Sequence, residues 1–303
     1  MPSQSRGQLA AAVGRTHHVF DAPSAPADLE HADIALGQPT AEAILDAPSV
    51  RWAQIFTAGF TSFDRDHVRE ALRTRGTVIT NSSVVYADAC AQHALALMLA
   101  SARQLAPAYR SQLTDHAWEQ DQRRQLARVL SGDTVVLLGF GAIGERLAEL
   151  LAPFHPRLYA LRRHPRGNEP VEVIDEDALG RVLPLADHVV NLLPLNAGTE
   201  QFMNAGRLAL MRAGATFYNI GRGATVDQAA LLAILQTGRI QACLDVTHPE
   251  PLPFNHPLWS LPNCQITPHA AGGAQHELRR LMDHFLANLH RYERGEPLVN
   301  QVI

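Results

Sequence analysis

The chain of 303 residues contains no lysine, so all 26 of its basic residues are arginine. That absence excludes several mechanisms outright. A Schiff-base enzyme, a Walker-type phosphate loop and a dehydrogenase with a lysine acid or base each need an ammonium group, which no side chain here supplies. Cysteine is nearly as scarce. Cys90, Cys243 and Cys264 are odd in number, far apart and without metal-ligand spacing, which predicts buried free thiols in a reducing compartment and no metal site. Blocks of like charge are also missing. With a formal net charge of -4 and no charged run, the chain offers neither a nucleic-acid face nor a membrane patch. Residues 1–15 hold no apolar run of the signal-peptide kind, and no uninterrupted apolar stretch reaches about 18 residues. These absences predict a cytoplasmic protein that engages neither nucleic acid nor membrane.

What is present is a hydrophobic share of 46%, normal for a packed protein and sufficient, at this length, for two domains. Between residues 34 and 81, β-prone runs at 54–57 and 77–80 alternate with helical stretches at 40–46 and 65–75. Residues 87–105, dense in Ala, Leu and Met, read as a long, largely buried helix. A second alternation begins at Thr134, with strands expected at 134–138, 157–161, 188–193, 216–220, 240–246 and 265–267. Helices separate most of these strands, which predicts a parallel, doubly wound sheet. Residues 275–294 carry Leu278, Leu281, Met282, Phe285 and Leu289 at amphipathic helix spacing and return the chain to the first unit. The expected organisation is α/β with two doubly wound parallel-sheet domains. A Rossmann dinucleotide-binding domain, 99–274, is inserted into a flavodoxin-like domain formed by 1–98 and 275–303.

Gly139, Gly141 and Gly144 follow the apolar run Val135-Val136-Leu137-Leu138 and open a helical pattern through Leu147, Leu150 and Leu151. In that context the first glycine makes a tight turn, the second admits a pyrophosphate and the third lets helix and strand pack closely. Ala142 and Ile143 complete this cofactor turn. An NAD-selective site places an acid at the end of the second strand, but here Arg162 and Arg163 follow the strand, with Arg166 slightly beyond. Guanidinium groups bind a phosphate monoester well, so NADP(H) is favoured and NAD(H) is possible.

Further on stand Arg222 in Asn-Ile-Gly-Arg-Gly, Glu250 in His-Pro-Glu-Pro-Leu-Pro and His269 in Thr-Pro-His. Reducing a 2-keto acid requires a hydride on the carbonyl carbon and a proton on its oxygen. A histidinium donates that proton near neutral pH, an adjacent carboxylate raises its pKa and fixes the ring tautomer, and an arginine holds the substrate carboxylate. His269, Glu250 and Arg222 fill those roles. His248 and His256 flank Glu250, but their spacing fits no common zinc pattern.

These segments resemble the D-isomer-specific 2-hydroxyacid dehydrogenase family, glyoxylate/hydroxypyruvate reductases included. The likeness runs from about Ile34 to the C-terminus: the glycine turn, Asn219-Ile220-Gly221-Arg222-Gly223 with Asp227, Leu244-Asp245-Val246 leading to Pro249-Glu250-Pro251, and Thr267-Pro268-His269. The resemblance implies that Arg222, Glu250 and His269 are catalytic and that Asp245 approaches the nicotinamide carboxamide. It also implies that Pro194, Thr199 and Ile220 belong to cofactor-facing segments, and that backbone amides around Ala58, Gly59 and Phe60 grip the carboxylate of a small 2-keto or 2-hydroxy acid. A homodimer formed through the cofactor domains is implied as well. Departures are the opening of the chain, with little apolar character until Val19-Phe20, Ala91-Gln92-His93 in place of Ala-Glu-His, and two aromatics, Phe60 and Phe63, in the substrate loop. Tyr86 and Trp118 either line the substrate pocket or belong to the core or a subunit interface. A dinucleotide-sensing corepressor on the same fold is the alternative function. Formate dehydrogenases carry Gln where this chain has Glu250, which disfavours that chemistry.

Overall fold

The computed structural model describes residues 31–303 together with Gly7, Leu9, Val13 and Leu29. Apart from Gly7, Leu9 and Val13, the opening segment, with Val19-Phe20, lies outside the described residues. The chain divides into two compact units, Met1–Tyr86 with Ala274–Ile303, and Ala87–Gly273. The first division falls twelve residues before the expected boundary at 98. Its cause is the long helix: Ser101, near its end, hydrogen-bonds Thr216 and Gln241, so residues from Ala87 on belong with the second unit.

In the first unit, β1 (Ile34–Gly37), β2 (Trp52–Ile55) and β3 (Val78–Thr80) form, among the described residues, a three-stranded parallel sheet in that order. Helices α1 (Ala41–Leu45) and α2 (Asp66–Arg75) connect these strands. Thr40 caps α1, its hydroxyl accepting from Ala43 N, and Gly76 ends α2 in the left-handed conformation that glycine adopts without penalty. Ile44, Ile55, Phe63, Val68, Leu72 and Ile79 are all buried on one side of this sheet. On the other, Trp52 stacks on Phe285 and Tyr292 of the last helix.

The second unit opens within α3 (Ser83–Ala102), which is followed by α4 (Leu105–Thr114) and α5 (Gln120–Leu126). By length and composition α3 could cross a membrane; Asp88, Gln92 and His93 interrupt its apolar run, and Ala91, Ala94, Leu97, Met98 and Ala102 are buried. Seven parallel strands follow: β4 (Thr134–Leu138), β5 (Arg157–Leu161), β6 (Glu172–Ile174), β7 (His188–Asn191), β8 (Thr216–Asn219), β9 (Gln241–Leu244) and β10 (Cys264–Ile266). Their order is β10-β9-β8-β7-β4-β5-β6. Chain direction across the sheet therefore reverses between β4 and β7, where doubly wound sheets open a ligand crevice beyond the strand C-termini. Strands β4, β7 and β8 are buried along their whole length, as central parallel strands covered on both faces are. Helices α6 (Ala142–Leu151), α7 (Leu179–Val182), α8 (Ala205–Leu210) and α9 (Gln228–Gln236) connect the strands, and α10 (Glu277–Glu293) returns the chain to the first unit.

Candidate active site

The crossing between β4 and β7 is made by backbone. A Cβ on Gly139, whose φ is 102°, would lie 3.3 Å from the carbonyl carbon and oxygen of Leu192, and one on Gly144 would lie 2.8 Å from Gly139 O. Gly141 is different, since a Cβ there would meet nothing within 4 Å. The first and third glycines thus serve close packing, and the second leaves open space at the N-terminus of the ten-residue helix α6. The amides of Ala142, Ile143 and Gly144 have no intrahelical acceptors there. Open space above donors at the positive end of a helix suits a pyrophosphate, so these residues fit a dinucleotide.

Beyond β7 and β8, a fully buried side-chain network sets the arginine loop. Asn191 donates through Nδ2 to Asn219 Oδ1 at 2.9 Å and to Thr225 Oγ1 at 2.7 Å. Asn219 Nδ2 and the Thr225 hydroxyl both end on Arg222 O, at 3.2 and 2.6 Å. Glycines on both sides of Arg222 are required by contact. A Cβ on Gly221 would stand 2.8 Å from Leu193 O, and one on Gly223 only 1.8 Å from Thr247 O. Arg222 is therefore held between the β7 loop and the loop carrying Glu250, its half-buried guanidinium donating to Gly221 O at 2.7 Å. Ile220, next to this loop, is buried and donates its amide to Asn191 O.

His269 Nδ1 lies 2.9 Å from Glu250 Oε1, and both side chains are about half exposed, at 50% and 40%. His269 adopts a left-handed φ of 50°, and Asp245 supports that turn. The amide of His269 donates to Asp245 O at 2.8 Å, Ala270 N to Oδ1 at 2.9 Å and Ala271 N to Oδ2 at 3.0 Å. Thr267 donates its hydroxyl to Asp245 Oδ1 at 2.6 Å, and His93 Nε2 on α3 lies 3.1 Å from that hydroxyl. Because the Thr267 proton is already given to Asp245, the His93 contact requires a protonated Nε2. The carboxylate of Asp245 is thus occupied in shaping the turn beneath His269.

The two arginines after β5 differ. Arg162, 16% exposed, donates to Phe140 O at 2.7 Å and His164 O at 2.9 Å and lies 3.3 Å from Glu145 and 3.5 Å from Glu169. It ties the strand end to the glycine turn. Arg163 is exposed, and its Nη2 would lie 3.4 Å from a Cβ on Gly198 in the loop after β7. Arg166 pairs with Glu145 at 2.8 Å. In that loop Thr199 is buried and donates its hydroxyl to Pro194 O at 2.6 Å while accepting from Asn196 N. The hydroxyl is spent on the shape of the loop.

The first unit holds Ala58, Gly59 and Phe60, where donors and acceptors are used unequally. The carbonyls of Thr57, Ala58, Gly59 and Phe60 accept, respectively, from Ser82 N, Asn81 Nδ2, the Thr57 hydroxyl and Phe63 N. Among the described residues, the amides of Ala58, Gly59 and Phe60 have no acceptor. Free backbone amides of this kind can donate to an oxyanion. Of the two aromatics expected beside it, Phe63 is a core residue, 1% exposed, and Phe60 remains at the surface with the Arg69 guanidinium over its ring. Tyr86 is half-buried, its hydroxyl lying 2.9 Å from Phe56 O and 3.0 Å from Glu277 Oε1. Trp118 is 90% exposed in this chain.

All three cysteines are buried and free. Burial pushes the thiol of Cys90 up to about 11 and those of Cys243 and Cys264 up to about 12, so none offers a thiolate nucleophile. Asn191, Thr225 and His93 are the positioning residues that sequence reasoning did not single out. The available signal was a lone amide ending the apolar run of β7.

Residues 95–271 match the family described as D-isomer specific 2-hydroxyacid dehydrogenase, NAD binding domain. A glyoxylate reductase of Pyrococcus furiosus is 35% identical over 273 residues, 86% of this chain and 79% of that protein. A human glyoxylate reductase/hydroxypyruvate reductase is 34% identical over 265 residues, again 86% of this chain and 79% of the relative. Among solved structures, a D-isomer specific 2-hydroxyacid dehydrogenase from Xanthobacter autotrophicus Py2 in complex with NADPH and MES superposes with a TM-score of 0.81 at 30% identity. It covers 100% of this chain and 95% of the other.

Proposed function

The chain belongs to the D-isomer-specific 2-hydroxyacid dehydrogenases, and we propose that within this family it is an NADPH-preferring reductase of a small 2-keto acid of the glyoxylate or hydroxypyruvate kind. It is an oxidoreductase that uses a nicotinamide cofactor. The observation carrying the finer reading is the 2.9 Å contact between His269 Nδ1 and Glu250. It fixes the ring and leaves Nε2 as the nitrogen that delivers a proton to the substrate's carbonyl oxygen. When bound, the cofactor supplies the hydride. Arg222 binds the substrate carboxylate in a bidentate fork, and its loop is held by Asn191, Asn219 and Thr225. Ala58, Gly59 and Phe60 donate to the substrate through their free amides.

On the cofactor, Gly139, Gly141 and Gly144 with Ala142 and Ile143 cradle the pyrophosphate. Arg163 reads the 2′-phosphate, while Arg162 holds the turn in place through Phe140 O. A homodimer formed through the cofactor unit is supported by an apolar surface on α4, α5 and their flanks. Leu105, Tyr109, Leu113, Trp118, Leu126 and Val129 are exposed there, and neither helix has a buried residue.

The test is oxidation of NADPH and NADH measured against glyoxylate, hydroxypyruvate, pyruvate, phenylpyruvate and larger 2-keto acids. Turnover with the small acids, faster with NADPH, is expected. Absence of turnover with every acid, together with tight cofactor binding, would favour the corepressor-like alternative.

A further inference from the structure

In a dinucleotide fold the end of the second strand is where the adenosine ribose is read, by an acid on the 2′-hydroxyl or an arginine on a 2′-phosphate. Arg162, Arg163 and Arg166 stand at or just past that end, after β5. They are not equally available. Arg162 is committed to the carbonyls of Phe140 and His164, at 2.7 and 2.9 Å. Arg163 is exposed and, among the described residues, carries no ion pair. Arg166 is 60% exposed and gives Nη1 to Glu145 Oε1 at 2.8 Å.

Glu145 comes from a different segment, the first turn of α6, directly after Gly144. The same Oε1 also lies 3.3 Å from Arg162 Nη1. One carboxylate oxygen therefore faces two guanidiniums, as an oxygen of a phosphate monoester does where arginines bind it. Glu169, the other acid here, has a different task. Its side chain is 5% exposed and accepts from the amides of Arg166 and Gly167 at 2.7 and 2.9 Å. The bond from the Arg166 amide holds the Glu169 carboxyl below the usual range. Glu169 thus fixes the backbone from which the Arg166 side chain starts. The guanidinium itself is in an exposed pair, which is weak and open to exchange for an anion of higher charge.

We propose that Glu145 is a specificity-determining residue: its carboxylate occupies the Arg166 guanidinium in place of a 2′-phosphate and so restrains the preference for NADPH that Arg163 confers. Arg163 reads the phosphate, and Arg166 is a second arm that Glu145 withholds. Arg162 cannot take that part, because carbonyls hold it in place. The proposal rests on the cofactor reading given above.

The test is calorimetric titration of the full chain, and of its Glu145→Gln and Glu145→Gln/Arg166→Gln variants, with 2′,5′-ADP, 5′-AMP, NADPH and NADH. These are binding measurements that need no substrate. In Glu145→Gln, 2′,5′-ADP and NADPH are expected to tighten by about three- to tenfold relative to 5′-AMP and NADH, as a freed charge-assisted contact does. The double variant loses that gain. The melting temperature falls only slightly, as for an acid removed from the first turn of a helix. Should Glu145→Gln fail to fold, Glu145→Ala carries the same titrations, alanine being the best helix former. An equal change for all four ligands overturns the proposal, since Glu145 is then only a general charge beside the pyrophosphate. So does a loss confined to 5′-AMP and NADH, which would make Glu145 the acceptor of the ribose 2′-hydroxyl, or a gain that survives in the double variant. If the wild type binds NADH more tightly than NADPH, yet Glu145→Gln shifts binding toward the 2′-phosphate, the NADPH-preferring reading fails and the role of Glu145 stands.

Discussion

The two ends of the seven-stranded sheet each carry a histidine beside a carboxylate, and they are used in opposite ways. At the N-terminal ends of the strands, His188 is fully buried and both ring nitrogens are taken, Nδ1 at 3.0 Å from the Tyr218 hydroxyl and Nε2 at 3.0 Å from Asp133. Burial pushes the Tyr218 phenol up, so it stays a neutral partner. Nearby, Asp187 accepts from Thr134 N and Arg212. Beyond the C-terminal ends, His269 is half exposed and commits one nitrogen to Glu250. A saturated ring can only hold structure together, whereas a ring with one free nitrogen can exchange a proton. The position of a strand's loop, more than the identity of the pair, decides which role a His–acid contact takes.

The contrast would break most visibly at His269. His269→Gln should lower kcat by roughly 10²- to 10⁴-fold while the melting temperature stays close to wild type. Unchanged turnover would remove His269 from proton transfer. At the other end, His188→Leu is expected to leave turnover per folded molecule within about twofold and to cost about 3 kcal/mol of stability, because Asp133 and Tyr218 lose their shared partner. In a unit of this size that corresponds to a melting temperature lower by roughly 6–12 °C. A large loss of kcat without loss of stability would show that the two ends are not functionally separate. The smallest effect sharpens the comparison within the cofactor end itself. Arg163→Ser should reduce the preference for NADPH over NADH by about tenfold, whereas Arg162→Ser should weaken both cofactors alike. A reversed outcome would return the phosphate to Arg162.

Much of this was legible in the sequence, for identifiable reasons. Strand β4 spans the residues expected of it, because a buried parallel strand bounded by turn residues advertises its own limits. Strand β6 was not foreseen. It is three residues long at the sheet edge, with Glu172 exposed and only Ile174 buried, so it carries no periodic signal. Arg222, Glu250 and His269 were legible as motifs, and the fold brings His269 onto Glu250. What the residues around them do was not, since it depends on contacts between distant segments. Asp245 reads as a cofactor ligand in a motif, and only the fold shows that its carboxylate also accepts from Thr267, Ala270 and Ala271. Arg162 and Arg163 are neighbours of the same type in sequence, and only the fold shows that Arg162 is held by Phe140 O while Arg163 is exposed.

The turn under His269 has a consequence for how the protein breathes. Three consecutive amides, those of His269, Ala270 and Ala271, all end on the single residue Asp245, which directly follows β9 at its C-terminal end. Backbone hydrogens joined to one anchor exchange with solvent in one opening event, and that event requires Asp245 to leave its place beside the sheet. A half-exposed residue in a loop thus inherits the slow hydrogen exchange of the strand behind it.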